Sequence, residues 1–225
     1  MPTMPTADAP PRPPVLEDGP TDGPRLLLAH GAGAPMDSDW MTTVATGLAE
    51  AGVRVVRFEF PYMAARRRDG RRRPPDREPV LLDTWRAMIA AHGPADRVVI
   101  GGKSLGGRMA SLLADDAGVR ALLCLGYPVH PAGRPDRLRT AHLEHLRTPT
   151  LICQGTRDPM GGREVVPGLR LSPAIRLHWL EDGDHGFKPR KASGRTEAQA
   201  LAEAVTVAAR FMHDPAAPDR PEPGA

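Results

Sequence analysis

The chain has only two cysteines, Cys124 and Cys153, in 225 residues. That is too few for a disulfide framework, so a hydrophobic core must hold the fold. Both lie near the end of an apolar run and read as small buried side chains in a reducing compartment. Long apolar runs are missing too, and none approaches the ~18 to 20 residues of a membrane span. The opening residues, MPTMPTADAPPRPP, contain no apolar stretch of the secretory-signal kind. These gaps predict a cytoplasmic protein without a membrane partner. There is no internal repeat. The histidines give no metal-ligand spacing either: His142 and His145 read as a surface pair on an amphipathic helix. No metal or organic cofactor is expected.

A general basic surface is also lacking, although the net charge is +3 and the pI about 9.2. The stretch Met63 to Pro79 holds seven arginines against Asp69, Asp76 and Glu78, a net of +4. Taking that from +3 leaves −1 for all other residues. The excess is one loop rather than a nucleic-acid-binding face, and it reads as solvated or as an anion-attracting rim near a cleft.

What is present is a single domain of ordinary composition, 40% apolar and 25% charged. Residues 1–24 carry eight prolines and 214–225 four more, so both ends are expected to lack structure. Between them, 25–213 alternates short apolar runs with helical patterns. The runs are Arg25 to Ala29, Val53 to Phe58, Arg97 to Ile100, Ala121 to Leu125, Thr150 to Cys153 and Ile175 to Leu180. Most have no polar face, as suits parallel strands covered on both sides. Trp40, Met41, Val44, Leu48 and Ala51 share a helix face after an N-cap at Ser38 or Asp37. Leu81, Trp85, Met88 and Ile89 mark a second helix, Leu105, Met109, Leu112 and Leu113 a third, and Leu201 to Met212 the last. The fold class is α/β: a doubly wound, mostly parallel sheet of about six strands with helices on both faces.

Chemistry concentrates in GGKSLGG, residues 101–107, between a predicted strand and a predicted helix. In G-x-S-x-G (Gly102 to Gly106) the serine stands on a strained turn that lifts its hydroxyl above the sheet. The glycines are required because strand and helix come too close for a Cβ. Gly-Lys-Ser also ends a phosphate-binding loop, but the first glycine of that motif would fall at Arg97. A serine hydroxyl is a poor nucleophile at neutral pH and needs a histidine oriented by a carboxylate. Asp158, in QGTRDPMG, and His185, in EDGDHGF, each follow a predicted strand. Asp182 and Asp184 remain alternatives for the orienting acid. Ser104, Asp158, His185 is the chain order of the α/β-hydrolase triad.

The blocks LLLAHGAGAPMDSDWM, FEFPYM, GGKSLGGRMAS, GYPVHPAGRPDRLRTAHL, TLICQGTRDPMG and GDHGFKP span about 26 to 189. They resemble the α/β-hydrolases of the small, dienelactone-hydrolase-like kind. More closely, the chain is similar to predicted bacterial hydrolases related to the hydrolase-like domain of a eukaryotic non-specific-lethal chromatin complex subunit. Dienelactone hydrolases proper use cysteine where this chain has Ser104, so their substrate does not carry over. The resemblance implies an oxyanion loop at His30 to Gly33, with the backbone N–H groups of Ala32 and Leu105 facing the substrate oxygen. His30 would brace that loop. It also implies a lid at 126–148, here small, with one short helix near Asp136 to Leu146. Lys103 is expected to edge the site or to be salt-bridged. Met36, Trp40, Tyr127, Met160 and Phe187 are candidates for a pocket lining, or for core.

The implied function is a serine hydrolase cleaving a carboxylic ester, thioester or lactone through an acyl-enzyme on Ser104, its partner a small ester-type substrate. The alternatives are a non-catalytic interaction module on the same fold, as the eukaryotic relatives suggest, and a small peptidase-like serine hydrolase.

Overall fold

A computed structural model describes residues 13–216 of the chain. Seven strands form one sheet in the order β1-β3-β2-β4-β5-β6-β7. They are β1 (Val15–Asp18), β2 (Arg25–Ala29), β3 (Arg54–Phe58), β4 (Val98–Lys103), β5 (Ala121–Leu125), β6 (Thr150–Gly155) and β7 (Ile175–Leu180). All neighbouring pairs are parallel except β1 with β3. The helices are α1 (Asp39–Glu50), α2 (Pro61–Asp69), α3 (Glu78–Ala91), α4 (Leu105–Ser111), α5 (Ala114–Ala117) and α6 (Glu197–His213).

The continuous apolar runs are explained by two cores, one on each face of the sheet. Leu26, Leu28, Val55, Val99 and Leu123 point to one face, where Met41, Val44 and Leu48 of α1 and Leu201, Ala204 and Ala208 of α6 cover them. Leu27, Ala29, Val56, Ile100 and Leu122 point to the other, under Trp85 and Met88 of α3 and Met109 and Ala110 of α4. The central strands are fully buried, and each large aliphatic side chain removed from water there contributes about 1.5–3 kcal/mol. The last helix starts at a capping box in which Thr196 and Gln199 satisfy each other's backbone N–H. No described helix is long and apolar enough to cross a membrane.

Three expectations are corrected. The segment 1–24 is not structureless throughout: Val15–Asp18 pairs antiparallel with β3, making seven strands instead of six. Its ladder is reinforced by Glu17 with Arg54 and Asp18 with Arg57. Residues 1–12 and 217–225 lie outside the described residues. The arginine stretch is not all loop, since Arg66, Arg67 and Arg68 belong to α2. The 126–148 insert has no helix over 136–146, only a single 3-10 turn at Ala141–Glu144.

Candidate active site

The nucleophile turn follows from backbone crowding. Strand β4 ends at Lys103 and α4 begins at Leu105, which leaves Ser104 alone to reverse the chain. Its φ of 50° and ψ of −110° are a conformation that side-chain-bearing residues rarely adopt. A Cβ on Gly102 would stand 2.5 Å from the Ala29 carbonyl oxygen. One on Gly106 would stand 2.7 Å from the same atom and 2.8 Å from the His30 carbonyl. Only glycine fits either position, so the motif is a consequence of packing α4 directly on β2 and β4.

Ser104, Asp158 and His185 meet above the carboxyl ends of β4, β6 and β7. Ser104 Oγ lies 2.8 Å from His185 Nε2, and His185 Nδ1 lies 2.7 Å from Asp158 Oδ2. Asp158 is fully buried, while the His185 side chain keeps a quarter of its surface open. The carboxylate is itself fixed: Gln154 Nε2 donates to Oδ2 at 2.9 Å and the Met160 backbone N–H to Oδ1 at 2.8 Å. Asp184 and Asp182 are occupied elsewhere. Asp184 accepts the N–H groups of Gly186 and Lys188, shaping the histidine loop. Asp182 is held by Arg190 and Arg157, which keep its carboxyl below the usual range, the Arg190 hydrogen bond most of all.

The other sequence candidates divide. Tyr127 and Phe187 are core residues, 1% and 0% exposed. Phe187 has a φ of 72° that tucks its ring under the histidine loop. Met36 is buried as well, and Met160 contributes its backbone to Asp158. Trp40 donates its indole N–H to the Gly186 carbonyl at 2.9 Å. Lys103 is hydrogen-bonded to the backbone carbonyl of His185. Lys103 has no salt bridge among the described residues, and both side chains fasten the loop that carries the histidine.

His30 is fully buried at the end of β2. The Phe60 N–H donates to its Nε2 at 3.1 Å, so the ring proton is on Nδ1, which donates to the Gly31 carbonyl at 2.6 Å. Burial holds this histidine below its usual 6.5, against smaller opposing effects of the Gly31 carbonyl and Glu59. The Tyr62 hydroxyl adds hydrogen bonds to the carbonyls of Gly31 and Ala32. In a trans peptide the C=O and the following N–H point in opposite directions. Fixing the Gly31 carbonyl against His30 and Tyr62 therefore turns the Ala32 N–H the other way. Leu105 supplies the first N–H of α4. The Arg67 guanidinium bridges Asp37 and the buried Glu59 beneath this loop, and Arg66 reaches the Gly33 carbonyl.

The sequence reading missed Gln154, Tyr62 and Glu59, which stand inside the quoted blocks TLICQGTRDPMG and FEFPYM but have partners elsewhere in the chain. It also took His142 for a surface residue. That ring lies 2.8 Å from Ser111 Oγ, and burial, assisted by the Arg108 charge, lowers it to about 4.

A family model described as the alpha/beta hydrolase domain matches residues 22–213, and the chain belongs to that family. Among solved structures, an alpha-beta serine hydrolase homologue from Coxiella burnetii is 21% identical with a TM-score of 0.66, covering 87% of this chain and 89% of its own. An α/β serine hydrolase without lid from Xanthomonas campestris is 22% identical, TM-score 0.59, over 86% and 88%. A dienelactone hydrolase from Anabaena variabilis is 22% identical, TM-score 0.61, over 88% and 91%. At these identities the likeness is one of fold.

Proposed function

We propose that the protein is a serine hydrolase that cleaves a carboxylic ester, thioester or lactone through an acyl-enzyme. The observation that carries this reading is the unbroken chain Ser104 Oγ, His185, Asp158 at 2.8 and 2.7 Å, with its carboxylate end buried. Ser104 attacks the carbonyl carbon while its proton passes to His185 Nε2. Asp158 holds the other ring nitrogen protonated and stabilises the imidazolium. The N–H groups of Leu105 and Ala32 receive the oxyanion, since both belong to backbone that abuts Ser104 and is fixed before substrate arrives. His185 then protonates the leaving group, and a water deprotonated by the same imidazole releases the acid. The short 126–148 insert, with a single 3-10 turn, leaves room for small or extended esters. A lidless relative of the same fold is consistent with an open site.

A fluorophosphonate probe tests this without knowledge of the substrate. Wild type should label stoichiometrically and Ser104→Ala not at all. Equal labelling of the two, or none of either, would return the chain to the interaction-module reading.

A further inference from the structure

Lys103 immediately precedes the nucleophile, yet its side chain does not point at the position a substrate would take. Its Nζ caps the Trp40–Phe187 pair, 5.4 Å from each ring centroid where the rings themselves are 5.7 Å apart, and is hydrogen-bonded to the carbonyl of His185. The next carbonyl, that of Gly186, is taken by the Trp40 indole. Room for the ammonium is built in. A Cβ on Gly126 would stand 2.6 Å from Nζ, 2.9 Å from the His185 carbonyl and 3.6 Å from His185 Cε1. A cation thus lies on the backbone of the histidine loop, carried by the strand that leads to the nucleophile.

We propose that Lys103 is a positioning residue for His185: its ammonium locks the histidine loop to the nucleophile strand and so fixes where the imidazole stands against Ser104. The inference rests on the triad reading above. Asp184 ties the loop internally through the N–H groups of Gly186 and Lys188, but those bonds do not join it to the nucleophile strand. Two successive carbonyls gripped by Lys103 and Trp40 fix where the imidazole stands. The site is favourable for a cation because two aromatic faces and a carbonyl replace its water. Burial nevertheless pushes Lys103 down to about 8, with Asp158 and Asp184 pulling the other way. Those two carboxylates and His185 are the charged or titratable groups around the ammonium. From the remaining elements it meets Trp40 of α1, Gly126 after β5, and Gly31 beside the neutral His30.

The test is the rate of fluorophosphonate inactivation of the full chain, combined with kcat and KM on p-nitrophenyl acetate. Lys103→Met, similar in length but unable to donate a hydrogen bond, should fold and still label at Ser104, with a rate roughly 10- to 100-fold lower at neutral pH. Its kcat should fall with KM little changed. Lys103→Arg, which keeps a charged donor, should stay within about tenfold of wild type. A Lys103→Met protein with the wild-type rate would overturn the proposal. So would a variant whose only change is a higher KM, which would make Lys103 a substrate contact. Should Lys103→Met not fold, Lys103→Arg decides alone, and a raised KM at unchanged kcat in that folded variant overturns the proposal. Failure of the triad reading shows differently, as a Ser104→Ala protein that labels like wild type.

Discussion

The loop after β2 and the loop after β7 each carry a histidine, and the two imidazoles have opposite kinds of partner. His30 is buried between two backbone groups, an N–H on Nε2 and a carbonyl on Nδ1, so both nitrogens are satisfied and its tautomer is fixed. His185 has a carboxylate on one nitrogen and a hydroxyl on the other, and part of its ring is open. The first arrangement can only hold backbone in place. The second can accept a proton at Nε2 because the charge that results has a counter-ion on its far side. Being a base is therefore a property of what faces the ring, and not of a position at a strand end, which both residues share.

The comparison is broken most severely from the carboxylate side. Asp158→Asn should keep the fold but lower kcat by about 10⁴, because the amide favours the wrong imidazole tautomer. Asp184→Asn, which touches only backbone N–H groups of the loop, should cost far less; reversed penalties in steady-state kinetics would move the orienting role to Asp184.

His30→Ala should act on stability before chemistry. It orphans the Phe60 N–H and loosens the Gly31 carbonyl, at about 1–3 kcal/mol for each buried group left unsatisfied, read as a lower denaturation midpoint in a protein that still labels with fluorophosphonate. Tyr62→Phe removes hydrogen bonds to the same loop and should cost about 1 kcal/mol or less, with kcat lowered by less than tenfold.

Acid sharpens the contrast further. His30 and His142 both titrate below 6.5 in the folded protein, His142 at about 4. Between that folded value and 6.5 the unfolded chain binds more protons than the folded one. Stability is therefore intact above about pH 6.5 and declines as pH falls toward about 4. Urea midpoints across this range should fall more steeply for wild type than for His142→Gln. Lys103 works at the other end: its folded value of about 8 lies under the usual 10.5, so its burden on the fold is greatest below pH 8 and lifts as pH rises through that window. The smallest effect is expected from replacing Arg68, Arg71 and Arg72 with serine. If the stretch steers anions, kcat/KM for anionic esters drops by no more than roughly threefold at low salt and converges with wild type at high salt, as a Debye length of ~8 Å requires.

How much of this the sequence disclosed depends on how local each determinant is. Ser104 was legible because its glycines, strand and helix are contiguous, and Asp158 because it follows an unmistakable apolar strand. Strand β1 was not legible: its four residues, three of them exposed, carry no periodicity and are recruited by Arg54 and Arg57, almost 40 residues on. Lys103 and Trp40 read as pocket candidates since nothing nearby names their partners, which lie 82 and 146 residues away. Phe187 and Tyr127 were ambiguous for a plain reason, that an aromatic beside a motif fits equally a cavity wall and a core. The missing lid helix is a matter of length, since the apolar spacing there supports only the single 3-10 turn at Ala141–Glu144.

The strand β1 has a consequence for the behaviour of the protein in solution. It is the single antiparallel member of the sheet, it shields the hydrogen-bonding edge of β3, and it lies wholly before residue 22, where the family match begins. A chain trimmed to that match would keep every residue named in the chemistry, yet it would expose the backbone donors and acceptors of Arg54–Phe58 and leave Arg57, 5% exposed, without Asp18. An uncapped strand edge is a template for another copy of itself. Trimmed protein should thus be colloidally unstable, self-associating with time and concentration while its freshly prepared fraction still labels at Ser104, so that four residues of little apparent importance decide whether the domain stays dispersed or becomes a seed for edge-to-edge growth.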